Sequence, residues 1–213
     1  MPKVLISDAM DPIAEKILKE KNIDVDVLTD LNEAKLLDII PIYDGLIVRS
    51  ATKVSRQLIE KSNNLKIIGR AGAGVDNIDL IAAKEKKIIV TNTPGGNTNA
   101  TAEHTLALLL ALFRKIPKGN KSTHEGLWEK KKLKGNEIKG KTIGIIGFGN
   151  VGKRFAEICS ALGLKILINS KTFENYKNSF PDYRPVDLNT ILLESDIISF
   201  HCKPNLDGSS IIT

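Results

Sequence analysis

Three glycines, Gly147, Gly149 and Gly152, lie between an apolar run and an amphipathic stretch of the chain. The run before them, Ile143–Ile146, has the length and composition of a buried strand. After the glycines, apolar residues recur about every four positions, as on one face of a helix: Val151, Phe155, Ile158 and Leu162. This strand–turn–helix pattern restricts the fold most, because it predicts a strand in a parallel sheet with a helix packed back on it.

The spacing of the three glycines has a physical meaning. Gly147 permits a tight turn, Gly149 lets a phosphate approach the backbone, and Gly152 lets the helix pack closely on the strand. The amides at the start of the helix then point at the bound anion. The pattern predicts a dinucleotide site, and the alternative is a glycine-rich turn without a ligand.

The residue type at the end of the next strand bears on which dinucleotide binds. That strand is predicted over Lys165–Asn169, and in dinucleotide-binding proteins an acidic residue at its end holds the ribose hydroxyls. Ser170 and Lys171 stand there instead. The predicted cofactor is NAD, and NADP stays open because the Lys171 ammonium can offset the charge of an additional phosphate.

The first part of the chain alternates short apolar runs with helical patterns, which predicts a parallel sheet covered on both faces. The predicted strands are Val4–Ser7, Val25–Leu28, Gly45–Arg49, Leu65–Ile68 and Ile88–Thr91. A breaker cluster at Thr93–Asn97 then predicts a boundary between residues 1–95 and residues 96–213. The expected fold class is α/β with two doubly wound parallel-sheet domains, the first flavodoxin-like and the second an incomplete Rossmann domain.

The helix predicted over Asn99–Lys115 is apolar on every side of its centre, Leu106–Phe113. A helix without a polar face is normally buried all round. Two uses of this helix stay open: burial in the core of its own domain, and an isologous contact between two copies of the chain. The second use predicts a homo-oligomer formed through the dinucleotide-binding domain.

Composition restricts the function classes. The 213 residues carry a net charge of +6 and only 2 cysteines, which favours a reduced, cytoplasmic protein. The apolar block Leu106–Phe113 is far shorter than the ~20 residues of a membrane span, so no membrane association is expected. The cluster Lys130–Lys132 is typical of a solvated turn, and a nucleic-acid partner, which net charge alone would suggest, is not predicted.

Two arginines and a glycine-rich loop are candidates for binding an anionic substrate. Arg49 and Arg70 each follow a predicted strand, so both are expected at the carboxyl edge of the first sheet. The loop Gly72-Ala73-Gly74 leaves backbone amides open to a carboxylate, as an anion nest does. A small molecule with a carboxylate and a phosphate fits these groups.

Four segments of the chain resemble one known family, the D-isomer-specific 2-hydroxyacid dehydrogenases, and the resemblance covers essentially the whole chain. The segments are Val48–Val54, Gly69–Asp79, Asn92–Asn97 with Ala102-Glu103, and Gly126–Glu129 leading into the glycine turn. Of these, Gly69–Asp79 is the most specific. The first two segments most resemble family members that act on 3-phosphoglycerate.

The resemblance implies an oxidoreductase that transfers a hydride between a nicotinamide cofactor and a D-2-hydroxy acid, here 3-phosphoglycerate to 3-phosphohydroxypyruvate in serine biosynthesis. Two alternatives stay open, a glyoxylate or hydroxypyruvate reductase and a non-catalytic corepressor that senses dinucleotides. The implied substrate contacts are Arg49, Ser50, Arg70, Gly72, Ala73 and Gly74. The implied cofactor contacts are Ala73, Glu103, Gly147, Gly149, Asn150, Val151, Gly152, Ser170 and Cys202.

No residue is assigned a catalytic role, because the family's catalytic arginine, carboxylate and histidine are expected beyond Thr213. The histidines present are His104, His124 and His201. His201 ends a predicted strand at the cofactor edge, but the sequence shows no carboxylate partner for it. No metal site is predicted.

Overall fold

The computed structural model describes residues 1–205 and 208–212. It contains two compact units, Met1–Asn97 and Thr98–Thr213, and the division falls at the end of the breaker segment Thr93–Asn97. Over the described residues, no helix has both the length and the apolar character that crossing a membrane requires.

Five parallel strands form the sheet of the first unit. The strands are β1 (Lys3–Ile6), β2 (Asp24–Val27), β3 (Gly45–Val48), β4 (Ile67–Arg70) and β5 (Ile89–Asn92). The helices are α1 (Ile13–Glu20), α2 (Glu33–Ile39), α3 (Arg56–Lys61) and α4 (Leu80–Glu85). The order β2-β1-β3-β4-β5 is the flavodoxin-like order, and its direction reverses between β1 and β3.

Three of these helices begin at a side-chain cap that the sequence supplies. Asn32, Ser55 and Asp79 each accept a hydrogen bond from the amide three residues later. The cap at Asp79 begins α4, a helix that the sequence analysis did not predict. Asp79 followed by an apolar run was the signal that could have found it.

Helices cover both faces of the first sheet, as expected, but the cover on one of the two faces is partial. Leu5, Leu46 and Ile68 are buried under α2, α3 and α4. Ile67 and Ile89 alternate to the opposite face and are 41% and 61% exposed. Right-handed crossovers place α1 alone on that side, because only the β1-to-β2 connection runs in the opposite direction along the sheet.

The fourth strand runs Ile67–Arg70 rather than Leu65–Ile68, so its predicted bounds were wrong. Pairing with β3 sets the register, with Gly45 opposite Ile67 and Val48 opposite Arg70. Leu65 is buried before the strand begins, which gave it the apolar signature of a strand residue. Arg70 is consequently the last residue of β4.

Four parallel strands form the sheet of the second unit. They are β6 (Thr142–Ile146), β7 (Lys165–Asn169), β8 (Arg184–Pro185) and β9 (Ile197–Phe200). The helices are α5 (Thr98–Phe113), α6 (Ile116–His124), α7 (Asn150–Ala161) and α8 (Leu188–Glu194). The order β8-β7-β6-β9 corresponds to strands 3-2-1-4 of the six-stranded Rossmann sheet. The predicted fold class, two parallel-sheet α/β domains, is confirmed.

Helix α5 is buried on one side only within a single chain, so of its two predicted uses the contact between two copies stays a prediction. Ala102 and Leu109 are buried in the core of the second unit, whereas Leu108 and Leu112 are 59% and 74% exposed. The helix also ends at Phe113 rather than continuing to Lys115. Burial in the core of its own unit therefore accounts for one side of α5 only.

Candidate functional site

The glycine turn joins the end of β6 to the start of α7. Gly147 has a φ of 97°, a left-handed conformation that favours glycine. A Cβ atom at this position would lie 2.5 Å from the carbonyl oxygen of His201 and 2.8 Å from the amide nitrogen of Cys202. Both atoms belong to the backbone after β9 and cannot rotate away, so this turn requires glycine at position 147.

Gly152 and Gly149 differ in what surrounds them. A Cβ atom on Gly152 would overlap the carbonyl oxygen of Gly147, so glycine allows α7 to pack directly on the turn. A Cβ atom on Gly149 would have no heavy atom of residues 1–205 or 208–212 within 4 Å. Gly149 also precedes α7 without giving it a side-chain cap. The amides of the first turn, which begins with Asn150 and Val151, are therefore open to an external anion.

The side chain of Phe148 anchors the glycine turn by packing against other aromatic rings. Phe148 is 2% exposed, and its ring lies 4.9 Å from that of Phe173 and 5.5 Å from that of Phe180, both in edge-to-face geometry. Phe180 in turn stacks on Tyr183. These aromatic residues come from the segment between β7 and β8, so the turn is held by side chains distant in sequence.

Ser170, Lys171 and Thr172 follow the end of β7. Ser170 Oγ lies 3.0 Å from Thr172 Oγ1, and the Thr172 amide donates to Ser170 Oγ. Lys171 is exposed and makes no ion pair within residues 1–205 and 208–212. Two hydroxyls and an ammonium group thus occupy the place where an acidic residue is usual in this fold.

His201 and Cys202 follow β9, beside the glycine turn. The His201 ring is half-buried against Phe155, with the ring centres 5.2 Å apart, and its Nε2 lies 2.9 Å from Ser199 Oγ. This burial lowers the pKa of His201 below its ordinary value of 6.5. The Cys202 thiol is exposed, whereas burial raises the pKa of the Cys159 thiol in α7 to about 12.

At the first sheet, a buried carboxylate after β1 holds the loop after β3. Asp8 is 6% exposed and accepts a hydrogen bond of 2.5 Å from the Arg49 amide and another of 2.5 Å from the Thr52 hydroxyl. The Thr52 amide also donates to it, at 3.1 Å. The backbone that carries Arg49 and Ser50 is therefore fixed at the point where the strand order reverses.

A second clamp holds the same loop from the side of β4. Asn77 Nδ2 donates to the carbonyl oxygens of Arg49, at 2.8 Å, and Thr52, at 2.7 Å. Val54 and Ile78 add a parallel β-bridge beside it. Sequence reasoning missed both clamps, because Asp8 and Asn77 act on residues far away in the sequence. Their only local signal is a polar residue in an otherwise apolar or glycine-rich segment.

The side chains of Arg49 and Ser50 remain available for a ligand. Both residues are exposed, and among the described residues Arg49 Nη1 donates only to the carbonyl oxygen of Ala9, at 3.1 Å. They border a cavity of about 450 Å³ at the switch point between β1 and β3. This is the position where open α/β sheets bind ligands.

Arg70 and the loop Gly72-Ala73-Gly74 form a second group at the same sheet edge. The Arg70 guanidinium lies over Gly72 so closely that a Cβ atom there would overlap it. Arg70 Nε is buried without a hydrogen-bond partner, and the side chain makes no ion pair with the described residues. Asn92 Nδ2 donates to the Ala73 carbonyl oxygen at 2.7 Å, which orders the loop. An unpaired guanidinium beside a glycine loop suits an anion.

The remaining candidates lie on α5 and α6. Glu103 is exposed near the start of α5 and makes no ion pair with the described residues. His104 is also exposed, and His124 Nδ1 lies 2.9 Å from the Asn120 carbonyl oxygen. Among residues 1–205 and 208–212, no histidine pairs with a carboxylate and no cluster suits a metal ion.

The chain belongs to the family of D-isomer specific 2-hydroxyacid dehydrogenases, since the catalytic-domain model of that family matches residues 4–196. It is 43% identical over 212 residues to the D-3-phosphoglycerate dehydrogenase of Synechocystis sp., covering 100% of this chain and 38% of that protein. It is 45% identical over 204 residues to the hydroxypyruvate reductase of Thermotoga maritima, covering 93% of this chain and 64% of that protein. The chain thus spans well under half of the first relative and just under two thirds of the second.

Solved structures agree with this assignment. The NAD+-bound 3-phosphoglycerate dehydrogenase of Entamoeba histolytica superimposes with a TM-score of 0.76 at 32% identity, covering 97% of this chain and 64% of that one. The predicted family is therefore confirmed.

Proposed function

We propose that this chain forms the substrate-anchoring and dinucleotide-binding parts of an NAD(P)-dependent oxidoreductase acting on a D-2-hydroxy acid. The observation that carries the proposal is the glycine turn. Gly147 and Gly152 are required sterically, while Gly149 borders open space before an uncapped helix. That arrangement fits the pyrophosphate of a dinucleotide, and a bound nicotinamide would supply or accept the hydride.

The chain's own residues hold and orient the cofactor in this proposal. The open amides at Asn150 and Val151 take the pyrophosphate, and Ser170 lies at the adenosine ribose. The remaining assigned contacts, carried over from the family resemblance, are Ala73, Glu103 and Cys202. NAD-bound relatives support a nicotinamide dinucleotide at this fold.

We extend the proposal to a preference for NADP or a relaxed choice between the two cofactors. No carboxylate stands at the ribose position to repel a phosphate, and Lys171 is unpaired in the described part of the chain. The hydroxyls of Ser170 and Thr172 are hydrogen-bonded to each other, so one of the two O–H groups is left to donate to a phosphate. Calorimetric titration with NADH and NADPH tests this, and a clear preference for NADH contradicts it.

The substrate proposed is 3-phosphoglycerate. Arg49 and Ser50 on one clamped loop and Arg70 with Gly72–Gly74 on the next offer separate places for a phosphate and a carboxylate. Binding of 3-phosphohydroxypyruvate should exceed that of hydroxypyruvate, and Arg49→Gln or Arg70→Gln should reduce the difference. Equal binding of both ligands favours the second candidate, a hydroxypyruvate reductase, which the Thermotoga relative supports.

The proposal gives this chain binding roles and no catalytic residue. The chain would belong to a cytoplasmic homo-oligomer assembled through its dinucleotide-binding unit. The exposed apolar side of α5 supports that assembly. A corepressor that senses dinucleotides would share the cofactor site, and NADH-dependent capture of a peptide partner without hydroxy-acid binding would favour it.

The sharpest test of the cofactor site is Gly149→Ala, read by calorimetry with NADH and by denaturant unfolding. The added methyl group meets no atom of the described residues, so the free energy of unfolding should fall by no more than about 1 kcal/mol, the cost of alanine in place of glycine at a helix N-cap. The same methyl group occupies the space proposed for the pyrophosphate, so Kd should rise about tenfold or more.

Two control variants separate binding from folding. Gly119→Ala, inside α6, meets only ordinary contacts; it should leave NADH binding unchanged and raise the free energy of unfolding by about 0.5 to 1 kcal/mol, because alanine favours the helix. Gly152→Ala overlaps the turn backbone and should lower stability as well as binding. If Gly149→Ala binds NADH as tightly as the unaltered chain, the proposed cofactor site is wrong.

A further inference from the structure

The cavity at the switch point of the first sheet carries opposite charges on its two walls. One wall comes from the loop after β2 and the first turn of α2, and it bears Asp30 and Glu33. The other comes from the loop after β3 and bears Arg49 and Lys53. Leu36 and Leu58 form part of the lining and are almost fully buried.

The charged groups on these walls are not paired with one another. Asp30, Glu33 and Lys53 make no side-chain hydrogen bond or ion pair within residues 1–205 and 208–212. One N–H group of the Arg49 guanidinium donates to the Ala9 carbonyl oxygen, and its other N–H groups remain available among the described residues. Two carboxylates and two cations are therefore available to a ligand in one cavity.

Hydrogen bonds fix the backbone of both walls. Asp8 and Asn77 hold the loop that carries Arg49 and Lys53 from two sides. On the opposite wall, Asn32 Oδ1 caps α2 through the Lys35 amide at 2.9 Å. The separation of the two charged walls is thus set by the fold, which lowers the entropic cost of binding.

We propose that this cavity binds the zwitterion of a small α-amino acid. Its ammonium group pairs with Asp30 and Glu33, and its carboxylate pairs with Arg49 and Lys53. A volume of about 450 Å³ accommodates a molecule of this size. An anionic hydroxy acid carries no cation for Asp30 and Glu33, so it would use the Arg49 wall alone.

The inference goes beyond the proposed dehydrogenase function and shares one residue with it. Arg49 serves both the proposed substrate and the zwitterion, whereas Asp30 belongs to the amino-acid site alone and Arg70 to the substrate site alone. Occupancy by an amino acid would therefore compete for Arg49. The separate residues allow the two proposals to fail independently.

The test is a ¹⁵N NMR titration of the 213-residue chain with glycine, and with acetate and methylammonium as probes that each carry one of its charges. Glycine should give saturable shifts at the amides of both walls, around Asp30–Glu33 and Ser50–Lys53. Acetate and methylammonium should each bind these walls at least about tenfold more weakly, because each satisfies only one wall.

Three variants complete the design. Asp30→Asn and Lys53→Gln should each weaken glycine about tenfold, and Asp38→Asn, an exposed carboxylate on the same helix α2 as Glu33, should not. Arg70→Gln should weaken hydroxy-acid binding and leave glycine binding intact. Glycine shifts that do not saturate, or that persist unchanged in Asp30→Asn, overturn the amino-acid site and leave the dehydrogenase proposal standing.

Discussion

Asp8 and Asn77 show how single polar residues order the binding edge of the first sheet. Asp8 is buried yet fully used, because its oxygens accept from two amides and one hydroxyl. Asn77 spans the same loop through two carbonyl oxygens, while its own Oδ1 is buried without a partner. An unsatisfied buried oxygen has a free-energy cost, which the ordering of the loop offsets.

Asp8→Asn replaces an accepting oxygen with an amide group that cannot accept. The Arg49 amide or the Thr52 hydroxyl then loses its partner in a buried place, so the free energy of unfolding should fall by about 2 kcal/mol. Urea unfolding measures the change. The control is Asp38→Asn, which is exposed and should stay within about 0.5 kcal/mol; equal losses in both variants would refute the clamp.

His201 should make stability depend on pH. Burial lowers its folded-state pKa below 6.5, so the stability it contributes is complete above pH 6.5. That contribution is lost as pH falls from there through the folded-state pKa, because the unfolded chain binds the proton first. Urea unfolding at pH 7.5 and in the mildly acidic range should show a smaller pH effect in His201→Gln than in the unaltered chain.

Gly119→Ala, which changes no titratable group, provides the control for this pH dependence. It should keep the pH dependence of the unaltered chain. An identical profile for His201→Gln and the unaltered chain would exclude His201 as the source.

At the scale of elements, the break between α5 and α6 depends on one left-handed residue. Lys115 has a φ of 54° and directly precedes Ile116 and Pro117, the start of α6. The prediction that α5 continues to Lys115 was wrong, because the spacing of apolar residues gives no sign of a left-handed backbone conformation. The polar stretch after residue 118 likewise concealed the helical turns of α6.

Lys115→Gly should raise the free energy of unfolding by about 0.5 to 1 kcal/mol, because glycine adopts the left-handed region without the steric penalty of a side chain. Lys118→Gly, inside α6, should instead lower it by about 1 kcal/mol. Denaturant unfolding of the two variants gives both values. Destabilisation of similar size at both positions would contradict the conformational argument.

At the scale of the whole molecule, each unit leaves apolar surface exposed. In the first unit it is the side of the sheet that bears Ile67 and Ile89, and in the second it includes Leu108 and Leu112 on α5. Contiguous apolar surface on a folded chain commonly marks an interface. The proposed contact between two copies uses the α5 surface, since that helix is apolar all round its centre.

Leu112→Lys should shift the chain toward monomer, as measured by light scattering over a range of concentrations. The charge would be buried at the proposed contact without a partner. Leu193→Lys is the matched control, because Leu193 is 85% exposed on α8 and lies outside the proposed surface. If the unaltered chain is monomeric at all concentrations, the proposed contact between two copies is wrong.

Sequence alone determined the features that depend on neighbours in the chain. The glycine turn, the alternation of strands with helices and the breaker at Thr93–Asn97 follow from steric limits and periodicity within a few residues. These features were sufficient for the fold class, whereas the family was identified from the resemblance of four segments of the chain. They also picked out Ser170 as a departure from the acidic residue expected there.

Tertiary structure decided what depends on residues far apart in sequence. Pairing with β3 set the register of β4, and the direction of the crossovers left part of one face of the first sheet exposed. Asp8 and Asn77 hold Arg49 although they lie 41 and 28 residues away from it in the sequence. The charged cavity likewise joins two loops separated in sequence, because parallel strands bring their carboxyl ends to one edge.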